Sequence, residues 1–215
     1  FALDAVTPGT TLQLMKGDAV IEKADELVPG DEYSLSVMVG RIQKAKSKIV
    51  FTTMPIIDIR HEGKFHAGMQ EYLWGEISIS CMEEPKSTVL SSRFKTRGAT
   101  AAKYQKQSLN VKLRNRDTDA ETDSTLLGLR SSSSWILDAM AIDRVNMRTR
   151  VLFDIWNELY QLPYETKFGS RNGTVGRLVE VIDNGSYRGI YCLTDRINRK
   201  LLDLKKPKID SITGD

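Results

Sequence analysis

Four acidic side chains at alternate positions, Asp117, Asp119, Glu121 and Asp123, form the densest run of potential metal ligands in the sequence. Their spacing imitates the opening of a calcium-binding loop. Thr122, however, stands where the sharp turn needs glycine, and Gly128 where a bidentate glutamate is needed. The run therefore reads as a solvated acidic loop. His61 and His66 are five apart, a poor spacing for a metal pair on one helix face, and no matching Cys or His cluster lies elsewhere. With no third histidine and no G-x-S-x-G segment, a serine-hydrolase triad has no support. Gly169, Gly173 and Gly176 lack the Lys-Ser/Thr of a phosphate loop and read as turns. Cys81 and Cys192 sit in apolar, strand-like settings, where free thiols are favoured over a bridge. Lys200, Lys205, Lys206 and Lys208 form a basic tail that reads as a solvated end. Asp154 and Glu158, four apart, share one face of an expected helix and could meet a cation there, although a solvated face is the favoured reading.

The elements that must position these groups are mostly strands. Thr11–Met15 and Tyr33–Val39 alternate apolar and polar residues, with a turn signal at Pro29-Gly30-Asp31. This predicts an N-terminal β-rich segment over 1–48, closed by the basic connection from Gly40 to Lys48. Further strands are expected over 51–59, entered through Pro55, and over 74–80, 87–97 and 107–114. The polar stretch from Asn115 to Thr125 reads as a loop. Met147, Val151, Leu152, Ile155 and Leu159 recur at three-to-four spacing, predicting one principal helix over about 145–160 with Asp143 as its N-cap and Pro163 as its stop. Two strands then flank Asn184-Gly185, the preferred centre of a type I′ hairpin turn. A short helix is expected from Asp195 to Leu204. The fold class implied is α+β, a largely antiparallel sheet packed by one main helix, in a second region spanning 49–215.

The charge is nearly balanced, +3 from 31 basic and 28 acidic side chains, which gives no general case for nucleic acid as a partner. No apolar stretch is long enough to cross a bilayer. The composition settles neither the oligomeric state nor the compartment.

Several segments in order carry a family resemblance. Phe51–Ile59 resembles an entry strand with a hydrophobic-Pro-hydrophobic core, and Lys95-Thr96-Arg97-Gly98-Ala99-Thr100 resembles an R-G-N-S-T segment. Tyr104–Leu113 resembles a P-K-K-P/S-Y-R strand, while Leu126-Leu127-Gly128-Leu129 with Trp135-Ile136-Leu137 resembles L-L-G-L followed by W-hydrophobic-L. Asp143 and Arg148 match a D-x4-R element, and Val179–Asp195 is close to V-E-V-Y-L-N-G-E-Y-x-G-V-Y-L-L-T-E. Over about residues 51–204 the sequence thus resembles the CotH family of spore-coat, kinase-like proteins. Ala99, Gln105, Gln107, Thr149 and Asp195 depart from that pattern at polar positions while the apolar frame is kept.

The resemblance implies the small lobe of a protein-kinase-like fold and transfer of phosphate from ATP, with magnesium, to a protein substrate. Lys106 aligns with the family's retained lysine and would hold nucleotide phosphates, with Arg97 beside it. A helix carboxylate, Asp154 or Glu158, would position Lys106. Thr194 and Asp195 fall where the family passes to its large lobe and would meet adenine, unless they cap the following helix. Only 20 residues follow Asp195, and Asp203, Asp210 and Asp215 are the acidic ones among them. The magnesium and base carboxylates are accordingly expected outside this chain. A rival expectation is a non-catalytic surface or extracytoplasmic binding module that keeps the frame alone. Family habit points to an extracytoplasmic or cell-surface location.

Overall fold

The computed structural model describes residues 7–82, 88–159, 173–199 and 201. The chain divides into two compact units, Phe1–Thr53 and Met54–Asp215.

The first unit is a four-stranded sheet. Strands β1 (Thr10–Lys16), β2 (Ala19–Val20), β3 (Glu32–Val39) and β4 (Ile42–Val50) are ordered β2-β1-β3-β4. The alternation of β1 and β3 buries Leu14, Tyr33 and Ser36, and the Tyr33 ring meets Phe51 edge-on at 5.4 Å. The basic stretch expected to be a connection is strand β4, paired antiparallel with β3. Its Lys44, Lys46 and Lys48 lie on the sheet's edge, where charge discourages pairing with another chain.

The second unit is a closed barrel of seven strands: β5 (Ile56–His61), β6 (Leu73–Ser80), β7 (Thr88–Thr96), β8 (Leu109–Leu113), β9 (Ser134–Asp138), β10 (Gly176–Asp183) and β11 (Ser186–Asp195). Strands β5 to β9 form an antiparallel meander, and the β10–β11 hairpin joins β9 through β11. Parallel pairing of β10 with β5 closes the ring, with Glu180 opposite Ile56 and Asp183 opposite Ile59. Asn184 and Gly185 turn the hairpin with φ of 47° and 80°, the positive values that a type I′ turn needs.

Period-two alternation fills the barrel from its own strands. Ile57, Ile59, Ile77, Ile79, Phe94, Leu109, Val111, Leu113, Trp135, Leu137, Val179, Val181, Tyr191 and Leu193 belong to one buried cluster. This overturns the expected α+β architecture: the unit is a β-barrel and not a kinase-like sheet packed by a helix. The one α-helix among the described residues, α1 (Arg148–Leu159), forms where the periodicity places it but contributes no buried residue. Its apolar stripe faces outward, with Leu152 62% and Leu159 81% exposed. A sheet closed on itself covers its own apolar face, so no helix is needed to complete the core. Residues 196–199 are not helical, which removes the start of the helix expected from Asp195; its remainder, like Pro163, lies outside the described residues apart from Leu201. Among the described residues no helix is long and apolar enough to cross a membrane.

Helix α1 rests on the start of β10. A Cβ on Gly176 would lie 2.4 Å from Cys192 Sγ and 3.3 Å from Arg150 Cδ, so the backbone passes both side chains closely. Gly176→Ala is expected to cost about 1–3 kcal/mol of stability through overpacking. In a Cys192→Ala background the same substitution should cost markedly less, measured by denaturant unfolding of all four variants. Equal costs in both backgrounds would show that the thiol is not what Gly176 accommodates.

Candidate functional site

The barrel has two ends, and the chain distributes its polar residues unequally between them. One end gathers the close of β5, β7 and β9 with the start of β8 and β11. Lys106 lies there, in the connection from β7 to β8. Its Nζ donates to the carbonyl of Ile190 and stands 4.6 Å from the centre of the Tyr191 ring. Burial pulls the Lys106 ammonium below its ordinary value of 10.5, and the charge of Asp138 offsets this in part. With Gln105, Tyr187 and Arg188, Lys106 lines a cavity of about 190 Å³.

Asp138 closes β9. Its Oδ1 accepts from Ser108 Oγ at 2.9 Å and from the Met140 amide at 3.1 Å. Ser108 Oγ in turn accepts from the Ala139 amide. Asp138 and Ser108 line a neighbouring cavity of about 300 Å³ with Met140, Asp143, Arg148 and Thr149. Asp143 accepts backbone hydrogen bonds from Val145, Met147 and Arg148, at 3.1, 3.1 and 2.8 Å, and pairs with the Arg148 guanidinium at 3.3 Å. Those amide bonds, Arg148's first among them, hold its carboxyl below the usual 3.8. Asp143, expected as the N-cap, lies four residues before that position because α1 begins at Arg148, yet its carboxylate gathers the amides that lead into the helix.

A third polar group completes this end. His61 Nε2 lies 2.8 Å from Asp183 Oδ1, and Arg188 Nε is 3.3 Å from Asp183 Oδ2. Asn184 binds the backbone of His61 twice, accepting from its amide and donating to its carbonyl, each at 3.0 Å. His61 is buried against Phe65, and its role is to fasten β5 to the hairpin turn rather than to hold a metal.

The site residues read from sequence separate in space. Arg97 lies in the same β7–β8 connection as Lys106; its amide donates to the Ser108 carbonyl and its side chain is exposed. Asp154 pairs with Arg150 one turn earlier on α1. Glu158 lies ten residues beyond Arg148, about 15 Å along the helix axis, and is exposed. The carboxylate whose charge reaches Lys106 is Asp138, which sequence reasoning missed. The one available signal was its place at the end of the W-I-L segment, directly before the chain leaves the strand.

Thr194 and Asp195 close β11, four and five residues past Ile190 and about 13 and 17 Å along the strand. Thr194 Oγ1 donates to the Val175 carbonyl at 3.0 Å. Asp195 is buried and accepts from Arg130 Nε at 2.5 Å, while Arg130 also reaches the Arg196 carbonyl and Asn198. Neither residue caps a helix. The acidic loop is likewise committed to structure: Asp119 pairs with Arg93 and Arg114, and Glu121 with Arg114. Among the described residues no group of three His, Cys, Asp or Glu side chains could hold a metal ion, and both cysteines are free thiols.

The CotH kinase protein family matches residues 94–213, more than half of the chain. The chain belongs to the CotH kinase family. The match takes in the Lys106 connection, β8, β9, α1 and the β10–β11 hairpin, the elements that build both cavities beside Asp138 and Lys106. No curated protein matches the chain.

Asp143 offers a direct test of this geometry. Its depressed carboxyl pKa makes a stabilising contribution that is present above the unfolded value of 3.8 and is lost as pH falls through the lower native value. Carbon-detected NMR titration should place its midpoint below 3.8. Asp143→Ala should loosen the start of α1 at neutral pH, seen as faster amide exchange at Val145, Met147 and Arg148. A midpoint at or above the ordinary value would remove Asp143 from this role.

Proposed function

We propose that the barrel unit binds the phosphates of ATP at Lys106 and serves ATP-dependent phosphoryl transfer to a protein. The observation that carries this reading is the environment of the Lys106 ammonium. It is partly desolvated, its direct partners are a neutral carbonyl and an aromatic ring, and it borders an open cavity. The carboxylate whose charge acts on it is Asp138, whose Oδ1 is already engaged by Ser108 and Met140. An anion entering beside Lys106 restores the electrostatic partner that burial has withheld, and a phosphate oxygen has the charge and acceptor capacity to do so.

Phosphoryl transfer is mainly positioning and charge stabilisation. In this arrangement Lys106 anchors the phosphates, Asp138 restrains Lys106 through its field, and Ser108 fixes Asp138. Arg97 lies close along the chain for a further phosphate oxygen. Magnesium arriving with a nucleotide would supply charge neutralisation at the phosphates. The described residues do not build a site for it: Asp138 and Asp143 are held by their own hydrogen bonds and no third ligand joins them. No step is assigned to magnesium on this chain. We also propose an extracytoplasmic or cell-surface setting, resting on family habit.

A second reading is a binding module in which Lys106 only locks the β7–β8 connection to β11. Its bond to the Ile190 carbonyl favours that reading. Titration with ATP and magnesium separates the two. Binding should be lost or weakened roughly 10–100-fold in Lys106→Ala, the worth of a charge-assisted hydrogen bond. Because binding draws the Lys106 pKa back up, calorimetry in buffers of different ionisation enthalpy should show proton uptake that grows as pH rises towards 10.5. Equal affinity in Lys106→Ala, or no binding at millimolar ATP, would favour the binding module.

A further inference from the structure

The largest of the cavities described lies at the barrel end away from Lys106. It encloses about 570 Å³ between the start of β5, the end of β6, the L-L-G-L segment, α1 and the start of β10. Pro55, Leu127 and Leu178 give it apolar walls, and Arg150 and Arg177 bring two guanidinium groups to it. That volume falls in the range of small-ligand sites, about 300–1,000 Å³, which are mostly apolar with a few convergent polar groups. Arg150 is paired with Asp154 on its own helix. Arg177 has no ion-pair partner among the described residues, although it opens a strand whose neighbours are otherwise well bonded. Among the described residues that line the cavity, the charged side chains are these two arginines.

We infer that this cavity binds a small amphipathic anion, a carboxylate or phosphate monoester carrying a short aliphatic chain. The apolar walls take the chain. The head group meets Arg177, with Arg150 second because Asp154 already shares its charge. Guanidinium suits both head groups, since its fork donates two parallel hydrogen bonds to a carboxylate or to phosphate oxygens. A neutral amphiphile of the same length would fill the cavity without engaging either arginine. A bare inorganic anion would engage the arginines without covering the apolar walls. The pocket thus selects for both properties together. It is separate from the nucleotide reading, because it shares no lining residue with the Lys106 cavity and lies where β5 and β10 begin, whereas Lys106 lies where β8 begins.

The chain carries its own reporter. Cys81 lines the cavity and is partly exposed, whereas Cys192 is fully buried and burial pushes its thiol up to about 11. Maleimide should therefore modify Cys81 and spare Cys192 in the folded chain. Octyl phosphate and octanoate should each slow Cys81 modification saturably, and the tighter of the two identifies the head group the site prefers. Octanol and inorganic phosphate should protect at least ten-fold less effectively. Arg177→Glu, an exposed position whose folding is checked by circular dichroism, should weaken protection at least ten-fold, and Arg177→Lys should retain part of it. Lys106→Ala should leave octyl phosphate binding unchanged, so that failure of the nucleotide reading and failure of this one are read separately. Protection by octanol equal to that by octyl phosphate, unaltered protection in Arg177→Glu, or no protection by either anion would each overturn the proposal.

Discussion

The parallel pairing of β5 with β10 is the constraint on which the barrel unit depends. A sheet of this size left open would expose two edges, each a row of unpaired backbone donors and acceptors, and an apolar face needing cover. Joining residues 56–59 to 180–183 removes both requirements at once. The seam is reinforced from main chain and side chain together. The Glu180 amide donates to the Pro55 carbonyl and the Asn184 amide to the Ile59 carbonyl, both at 2.9 Å. The Asn184 side chain then clasps both backbone groups of His61, and His61 meets Asp183 beneath it. Proline at the entry suits this seam, because Pro55 has no amide to satisfy and its carbonyl is the group employed.

Closure also determines what each end can do. Strand β11 runs from one end to the other and is bonded on both sides, to β10 and to β9. Its middle, at Ile190 and Tyr191, supplies the carbonyl and ring under Lys106. Its finish, at Thr194 and Asp195, is tied to Val175 and Arg130. The crossover from β9 to β10 carries Asp143 and α1 along the outside of the barrel. Residues Arg148 and Thr149 consequently border the cavity with Asp138, while Arg150, next in sequence, borders the cavity at the other end. The helix that adds nothing to the core is instead placed between two cavities.

The local elements were legible because their signals are local. Alternation marked β1, β3, β6 and the hairpin strands, the three-to-four spacing marked α1, and Asn184-Gly185 marked the turn. The architecture was not legible, since the β5–β10 pairing joins residues more than a hundred positions apart and parallel pairing leaves no mark in a single strand. Without that pairing an amphipathic helix beside a sheet reads as the cover of an open core. The outward stripe of Val151, Leu152, Ile155 and Leu159 shows why the inference fails. The same limit applied to the site. Lys106 was found through the family's retained lysine, but the carboxylate acting on it was sought on α1 at Asp154 or Glu158. Sheet register instead brings in Asp138, opposite Cys192 on β11. Register across a barrel cannot be read from spacing along the chain.

Charge is treated differently at the finish of β11 and at its middle, where Lys106 meets it. At Asp195 the charge is balanced locally: one carboxylate oxygen meets the Arg130 guanidinium, which also reaches the Arg196 carbonyl and Asn198, while the buried Oδ1 has no hydrogen-bond partner among the described residues. Such a pair organises the chain where it leaves the barrel, and opening it would strand a buried charge. At Lys106 the balance is incomplete. The ammonium is desolvated enough to lower its pKa, yet it is given a carbonyl, a ring and only the field of Asp138. Folding alone does not require that arrangement, because an apolar residue could pack on Tyr191 without the desolvation cost. That incomplete balance beside open space is the feature on which the proposed anionic partner rests. Our proposal that this partner is a nucleotide phosphate draws its support from that feature together with membership of the CotH kinase family.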